Sequence, residues 1–213
     1  MKKRKVVLIS DTHARLHEIN VPNGDIIIHC GDFGFRGATE EWKEFLTEYS
    51  KLPHKHKLFT FGNHDVRNSN LLPIIKQEAK DLGITLLVNE LIEIDGLRIY
   101  GSPITPRFGN WWWMKERGAE LARHWSNIPE NLDIFFSHGM PHGVLDIAER
   151  IMEHVGDTEL LMAIIEKKPK IGVGGHLHYQ GGQSMIIGDT KYYNAAVCNE
   201  SYYPSNKIQI IEI

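Results

Sequence analysis

The chain has 213 residues, of which 42% are hydrophobic and 24% charged, and a formal net charge of -3. At this size a fold buries roughly 70–75% of the surface that the unfolded chain exposes, so one globular domain over residues 1–213 with a sizeable core is expected. The slightly acidic balance gives no electrostatic case for broad binding to a nucleic-acid polymer or an anionic membrane, since both need concentrated Lys and Arg.

The opening "MKKRK" reads as a solvated basic tail. "KVVLIS" (residues 5–10) follows as a short, β-branched strand buried on both faces. The run stops at Asp11, too short for a signal-peptide core, and no later stretch is long enough for a membrane span. "DIIIHC" (25–30) and "HKLFTF" (56–61) are two more buried strands. Between them "EEWKEFLTEYSK" (40–51) places Trp42, Phe45, Leu46 and Tyr49 at helical spacing, with Thr39 as the expected N-cap. "LLPIIKQEAKDLG" (71–83) reads as a helix with Pro73 near its start and Gly83 at its end. "LIEIDGLRIYGS" (91–102) is a hairpin about Asp95-Gly96. "KERGAELARHW" (115–125) is helical and "LDIFFS" (132–137) is a buried strand. In the helix "DTELLMAIIEKK" (157–168), Leu160, Met162, Ala163 and Ile164 read as core packing. "KIGVGG" (170–175) is a strand, "SMIIGDTKYYNAA" (184–196) a second hairpin and "KIQIIEI" (207–213) a last strand. Strands alternating with helices and then joined by hairpins predict mixed sheets covered by helices. Cys30 and Cys198 form no disulfide framework, so a reducing, cytoplasmic setting is expected.

The unusual count is twelve histidines, and their placement matters more than their number. After "VVLIS" come Asp11 and His13; after "DIIIHC" comes Gly31-Asp32; after "KLFTF" comes Gly62-Asn63-His64-Asp65. After "LDIFFS" comes His138-Gly139, and after "KIGVGG" come His176 and His178. Each fragment alone is ordinary turn chemistry. Five buried strands ending the same way are not, because sites in α/β sheets form outside the carboxyl ends of strands. Asp11, His13, Asp32, Asn63, His138, His176 and His178 make a donor set of two carboxylates, one amide oxygen and four imidazoles. That is too rich in nitrogen for magnesium or calcium and lacks the thiolates of structural zinc. It suits two divalent or trivalent transition ions among Mn, Fe, Zn, Co and Ni, with Mn favoured for activity. Two such ions, about 3.5–4 Å apart, activate water and clamp a phosphoryl oxygen in in-line displacement.

The ordered motifs D-x-H, G-D, G-N-H-D, H-G and G-H-x-H, running from Asp11 to His178, resemble the calcineurin-like metallophosphoesterase superfamily. The resemblance implies an α/β fold, a four-layer α/β/β/α sandwich of two mixed sheets with a dinuclear centre at its rim. It implies that Asp11, His13, Asp32 and His178 hold one ion, that Asp32 bridges, and that Asn63, His138 and His176 complete the second. It implies that His64 faces the substrate phosphate and that Asp65 orients its ring. The Asp-Arg pair that serine/threonine protein phosphatases of the superfamily carry after G-D is absent from "GDFGFRGATEE". "CGDFGFRG", "YGSPITPRFGNWWW", "SHGMPHGVLD" and "YYNAAVCNESYYPSN" are similar to the small metallophosphoesterase-domain-containing branch, whose members are cyclic-nucleotide phosphodiesterase-like. Some of that branch replace the first histidine of the last motif by glycine, whereas His176 is kept here.

The leading expectation is a phosphodiesterase acting on a small-molecule phosphoester such as a cyclic nucleotide. A phosphomonoesterase or nucleotidase on the same site, and a non-catalytic scaffold for protein binding, stay open. Other conspicuous residues have ordinary readings. His29 is a core histidine, His54 and His56 are solvated, and Cys198 is a packed small side chain. His142 is a loop residue within possible reach of substrate. Trp111, Trp112 and Trp113 either pack under a loop or wall a base-binding cleft. Arg36 and Arg107 are surface arginines or phosphate contacts. Motif and composition leave the oligomeric state open.

Overall fold

The structure is a computed structural model and describes residues 3–213; Met1 and Lys2 of the basic tail lie outside the described residues. The first half contains β1 (Lys5–Ile9), β2 (Ile26–His29), α1 (Thr39–Ser50), β3 (His56–Phe59), α2 (Leu72–Asp81) and β4 (Ile84–Leu86). The hairpin strands β5 (Glu90–Ile94) and β6 (Leu97–Ser102) follow, then the two-residue strands β7 (Thr105–Pro106) and β8 (Met114–Lys115), and α3 (Ala119–Trp125). Next come β9 (Ile134–Ser137), the ribbon of β10 (Ile147–Ala148) and β11 (Glu153–His154), and α4 (Thr158–Lys167). The chain ends with β12 (Ile171–Gly174), β13 (Ser184–Ile187), β14 (Thr190–Asn194) and β15 (Gln209–Glu212).

One sheet has the order β15-β1-β2-β3-β4 and the other β13-β14-β12-β9-β6-β5. Both are mixed. In the first, β1 to β4 run parallel and β15 joins β1 antiparallel. In the second, β14, β12, β9 and β6 are parallel and the hairpin partners β13 and β5 are antiparallel edges. Strand alternation then builds the layers. Val7, Ile9, Ile27 and Phe59 point outward to Trp42, Phe45, Tyr49 and Ile75 of the first two helices. Val6, Leu8, Ile26 and Ile28 point inward to Ile99, Ile134, Phe136 and Val173 of the second sheet. That sheet's other face packs Tyr100, Phe135 and Tyr192 on Leu121, Trp125, Leu160 and Ile164 of α3 and α4. The result is the α/β/β/α order, with three apolar interfaces in place of one core.

Several local expectations change. Thr39 is the first helical residue, not the cap; Ala38 is extended, and the Glu41 carboxylate accepts the N–H groups of Arg36 and Ala38. α3 is shorter than expected because Lys115 pairs in the β7–β8 ribbon and Gly118 turns at φ 79. β4 carries only three residues, too few to show a pattern. Met162 is 61% exposed, since Leu160, Ala163 and Ile164 take the inward face of α4. His54 is buried rather than solvated, with its ring bonded to the Pro22 carbonyl, and His56 meets the Asp95 carboxylate.

His29 is a satisfied core histidine: Nδ1 accepts the Gly31 N–H, and Nε2–H donates to Thr12 Oγ1. Burial pushes its pKa down to about 3 from 6.5. In that window the unfolded chain binds a proton that the fold does not, so the stability His29 contributes is present above pH 6.5 and lost on acidification. Between about pH 6 and 4 the unfolding free energy of the wild type should fall more steeply than that of His29→Gln. The difference in slope should approach one proton, about 1.4 kcal/mol per pH unit. Urea unfolding across that range checks this, and equal slopes would mean that His29 is not held neutral.

Candidate metal centre

Every candidate ligand leaves the carboxyl end of a parallel strand. Asp11 and His13 follow β1, Asp32 follows β2, and Asn63 lies beyond β3, all in the first sheet; His138 follows β9, and His176 and His178 follow β12, in the second. Because the two sheets pack face to face, those ends converge. Asp11, His13 and His178 offer ligand atoms within 4.8 Å of one another, and so do Asp32, His138 and His176. Backbone at positive φ aims four of these side chains: Asp11, His13, Asp32 and His176 have φ of 56, 43, 54 and 68°. Such conformations cost energy in non-glycine residues and cluster at functional sites. Glycine keeps the space open. A Cβ on Gly62 would overlap Asp32 Oδ1 and come 2.6 Å from His138 Cε1, and one on Gly175 would overlap the Asp11 carboxylate.

The ring hydrogen bonds test whether metal ions fit. Nδ1 of His13 lies 3.1 Å from the Gly34 carbonyl, that of His178 3.0 Å from the Asn199 carbonyl, and that of His138 2.9 Å from the Cys30 carbonyl. A carbonyl only accepts, so each Nδ1 carries the hydrogen and each neutral ring presents a bare Nε2. The Nε2 atoms of His13 and His178 then face each other at 3.2 Å, with Asp11 Oδ1 3.3 Å from His178 Nε2. His138 Nε2 faces Asn63 Oδ1 at 3.0 Å and Asp32 Oδ2 at 3.3 Å. Lone pairs aimed at lone pairs need a cation or an extra proton between them, and carbonyl-anchored imidazoles are the usual supports of metal ligands. The residues therefore fit two ions, one in each group.

The protonation pattern agrees. Burial works against the Asp11 charge, but the His178 hydrogen bond and the charges of His138 and His178 hold its carboxyl below the usual range. Burial likewise opposes Asp32, and His138 together with His13 and His64 holds it low. Burial alone would lower His138, yet the Asp32 charge and hydrogen bond raise it to about 9. Burial drives His13 to about 4 and His176 to about 3. Two ionised carboxylates thus sit beside two neutral imidazoles, His13 and His176, while His138 and His178, raised by those carboxylates, draw a proton where a cation would otherwise sit.

His64 and Asp65 are brought to the same rim, but the expected link between them is absent. Asp65 does not orient the His64 ring. Its Oδ2 accepts the N–H groups of Asp32 and Gly62, and its Oδ1 that of Gly34, each at 2.8 Å. Asp65 ties the turns after β2 and β3 together instead. The ring of His64 is held by the Phe35 carbonyl, 2.8 Å from Nδ1, while its backbone N–H donates to Asp32 Oδ1. A backbone acceptor leaves no side-chain signature, so the family resemblance alone pointed to the adjacent carboxylate.

A cavity of about 210 Å³ opens over the centre, lined by Asp32, Asn63, His64, His176 and His178 and also by Phe108, Trp111, Glu200 and Tyr202. The sequence quoted around Glu200 and Tyr202 gave no reason to single either out. Tyr202 adopts φ 61° and stands edge-on to His13 at 4.7 Å and to His178 at 5.4 Å. The tryptophan run divides: Trp111 stands 4.3 Å from the His64 ring, Trp112 meets the Arg67 guanidinium, and Trp113 stacks on Phe61. Arg107 pairs with Glu116, and His142 faces Asp146, so neither lines this cavity.

A two-sheet sandwich whose strand ends gather aspartates and histidines into two adjacent clusters is the architecture of a metal-dependent hydrolase. The chain belongs to the calcineurin-like phosphoesterase family, whose sequence profile matches residues 4–180, and that family binds divalent metals. It is 35% identical to human "Metallophosphoesterase domain-containing protein 1" over 231 aligned residues, covering 98% of this chain and 71% of the human one. It is 34% identical to "UPF0046 protein K07C11.7" of Caenorhabditis elegans, over 96% of this chain and 72% of that one. The fold is similar to the crystal structure of TT1561 of Thermus thermophilus, with a TM-score of 0.63 and 12% identity over 99% of each chain. Among the described residues no helix is long and apolar enough to cross a membrane.

Proposed function

We propose that the protein is a dinuclear phosphodiesterase for a small phosphodiester, with Asp32 bridging the two ions and Mn favoured among them. One observation carries the choice of diester. The cavity over the centre has, besides Asp32, a second carboxylate, Glu200, and no Lys or Arg among its described lining residues. A monoester carries close to two negative charges at neutral pH and a diester one. Without a Lys or Arg to meet the second charge, the site favours the diester.

When bound, the ions supply Lewis acidity that polarises phosphoryl oxygens and lowers the pKa of water. Asp11, His13 and His178 would hold one and Asn63, His138 and His176 the other, with Asp32 shared between them. The chain's own residues do the rest. Carbonyl anchors fix the imidazoles in one tautomer, and Asp65 holds the turns that carry Asp32 and Asn63. His64, with Nδ1 on the Phe35 carbonyl, presents Nε2 to the cavity. In its protonated form it can give a proton to a leaving oxygen. The test is a panel on stripped protein reloaded with single metals. Bis(4-nitrophenyl) phosphate should be hydrolysed with higher kcat/KM than 4-nitrophenyl phosphate, and chelated protein should hydrolyse neither. A preference for the monoester would replace this reading with a nucleotidase-like one; inertness toward both with every ion would leave a scaffold.

A further inference from the structure

A second cavity, of about 350 Å³, adjoins the first and shares Phe108, His176 and Glu200 with it. The Phe108 ring stands 4.9 Å from the His176 ring and forms the partition. Beyond it the walls are apolar: Met140, Ala148, Ile151, Val155 and Leu177. The outer wall is the β10–β11 ribbon, whose tip exposes Ile151 at 55% and Met152 at 60%. Two large apolar side chains left in water beside a concave apolar surface favour burial by a ligand. The ribbon's base is fixed, because the buried Asp146 carboxylate accepts the N–H groups of Gly143 and Gly156 and bonds His154. The wall therefore stands preformed.

Charge narrows what fits. The Arg117 guanidinium is committed to the carbonyls of Val155 and Gly156, and Glu149, Arg150 and Glu200 also border the cleft. Two carboxylates and two guanidiniums balance, so the cleft carries no net charge that would recruit a second phosphate or carboxylate, and its broad walls are apolar. Of the tryptophan run only Trp111 lines the cavity over the centre, and none of the three borders this cleft.

We infer that this cleft is the subsite for the non-reacting organic group of the ester, and that the group is a neutral aromatic or other flat apolar ring. Phe108, Ala148 and Ile151 are its specificity-determining residues. The inference rests on the phosphoester reading of the centre, and its test separates the two. Binding of methylphosphonate and of naphthylmethylphosphonate to metal-loaded protein is measured by calorimetry, which needs no turnover. Naphthylmethylphosphonate should bind about 10- to 100-fold tighter, the gain expected from burying one ring system. Ala148→Trp, which fills the cleft, and Ile151→Asp, which charges its exposed wall, should each remove that gain while metal content and methylphosphonate affinity stay unchanged. Ile151 is exposed, so its variant is expected to fold even if the larger tryptophan is not tolerated. Equal affinities for the two phosphonates in the wild type, or a gain that survives Ile151→Asp, would overturn the subsite alone. If neither phosphonate binds the metal-loaded protein, the phosphoester reading falls with it.

Discussion

His64→Ala is expected to keep both metal ions and to lose about 10²–10⁴-fold in kcat toward diesters with alkyl or ribose leaving groups. Toward 4-nitrophenyl esters the loss should be much smaller. The reason is geometric. His64 is the one histidine of the rim whose Nδ1 is anchored on a carbonyl but which stands outside both ligand clusters. Its Nε2 is therefore free for a ligand of the cavity rather than committed to an ion. An alkoxide leaves poorly without a proton, whereas nitrophenolate leaves well without one, so the loss should grow with leaving-group pKa. Rates of the variant and the wild type across a series of graded leaving groups decide the matter. A uniform loss would assign His64 to stabilising charge on the transferring phosphoryl group. Loss of metal, measured by elemental analysis, would make it a ligand.

What the sequence made legible followed from periodicity and repetition. Buried strands such as "VVLIS" and "DIIIHC" show as unbroken β-branched runs, and the turns at Asp95-Gly96 and Gly188-Asp189 show as hairpins; both appear in the fold. The seven candidate ligands were legible because each recurs at the same place relative to a strand, and the fold brings six of them into two clusters with Asn63 against His138. What stayed hidden depends on backbone or on distant chain. The anchor of His64 is a carbonyl, which any residue at position 35 would supply. Tyr202 and Glu200 reach the centre through the loop between β14 and β15, whose path no local pattern dictates. The tryptophan run carries no pattern that divides it, because a ring stacked in the core on Phe61 and one at the cavity beside His64 lie two residues apart in sequence.

Asp65 is the residue for which the structure changes the expected phenotype most. An orienting partner of His64 would, when replaced by Asn, give a mild copy of the His64→Ala defect with the metals retained. The carboxylate instead closes three backbone N–H bonds, from Asp32, Gly34 and Gly62, in the two turns that place Asp32 and Asn63. Burial and the Asp32 charge push its pKa up, while those donors favour its charged form. In Asp65→Asn one oxygen becomes an NH₂ that opposes at least one backbone N–H. An unsatisfied buried donor costs about 1–3 kcal/mol, so Tm should fall by several degrees for a chain of this length. Displacing the support of a ligand turn should weaken metal binding by about 10–100-fold. The activity loss should then be the same for nitrophenyl and alkyl esters and should be recovered in part by excess metal. Metal titration of the stripped variant distinguishes the two roles. Unchanged affinity together with a defect that follows leaving-group pKa would return Asp65 to the histidine; weakened affinity with a uniform defect would leave it as the brace between the turns after β2 and β3.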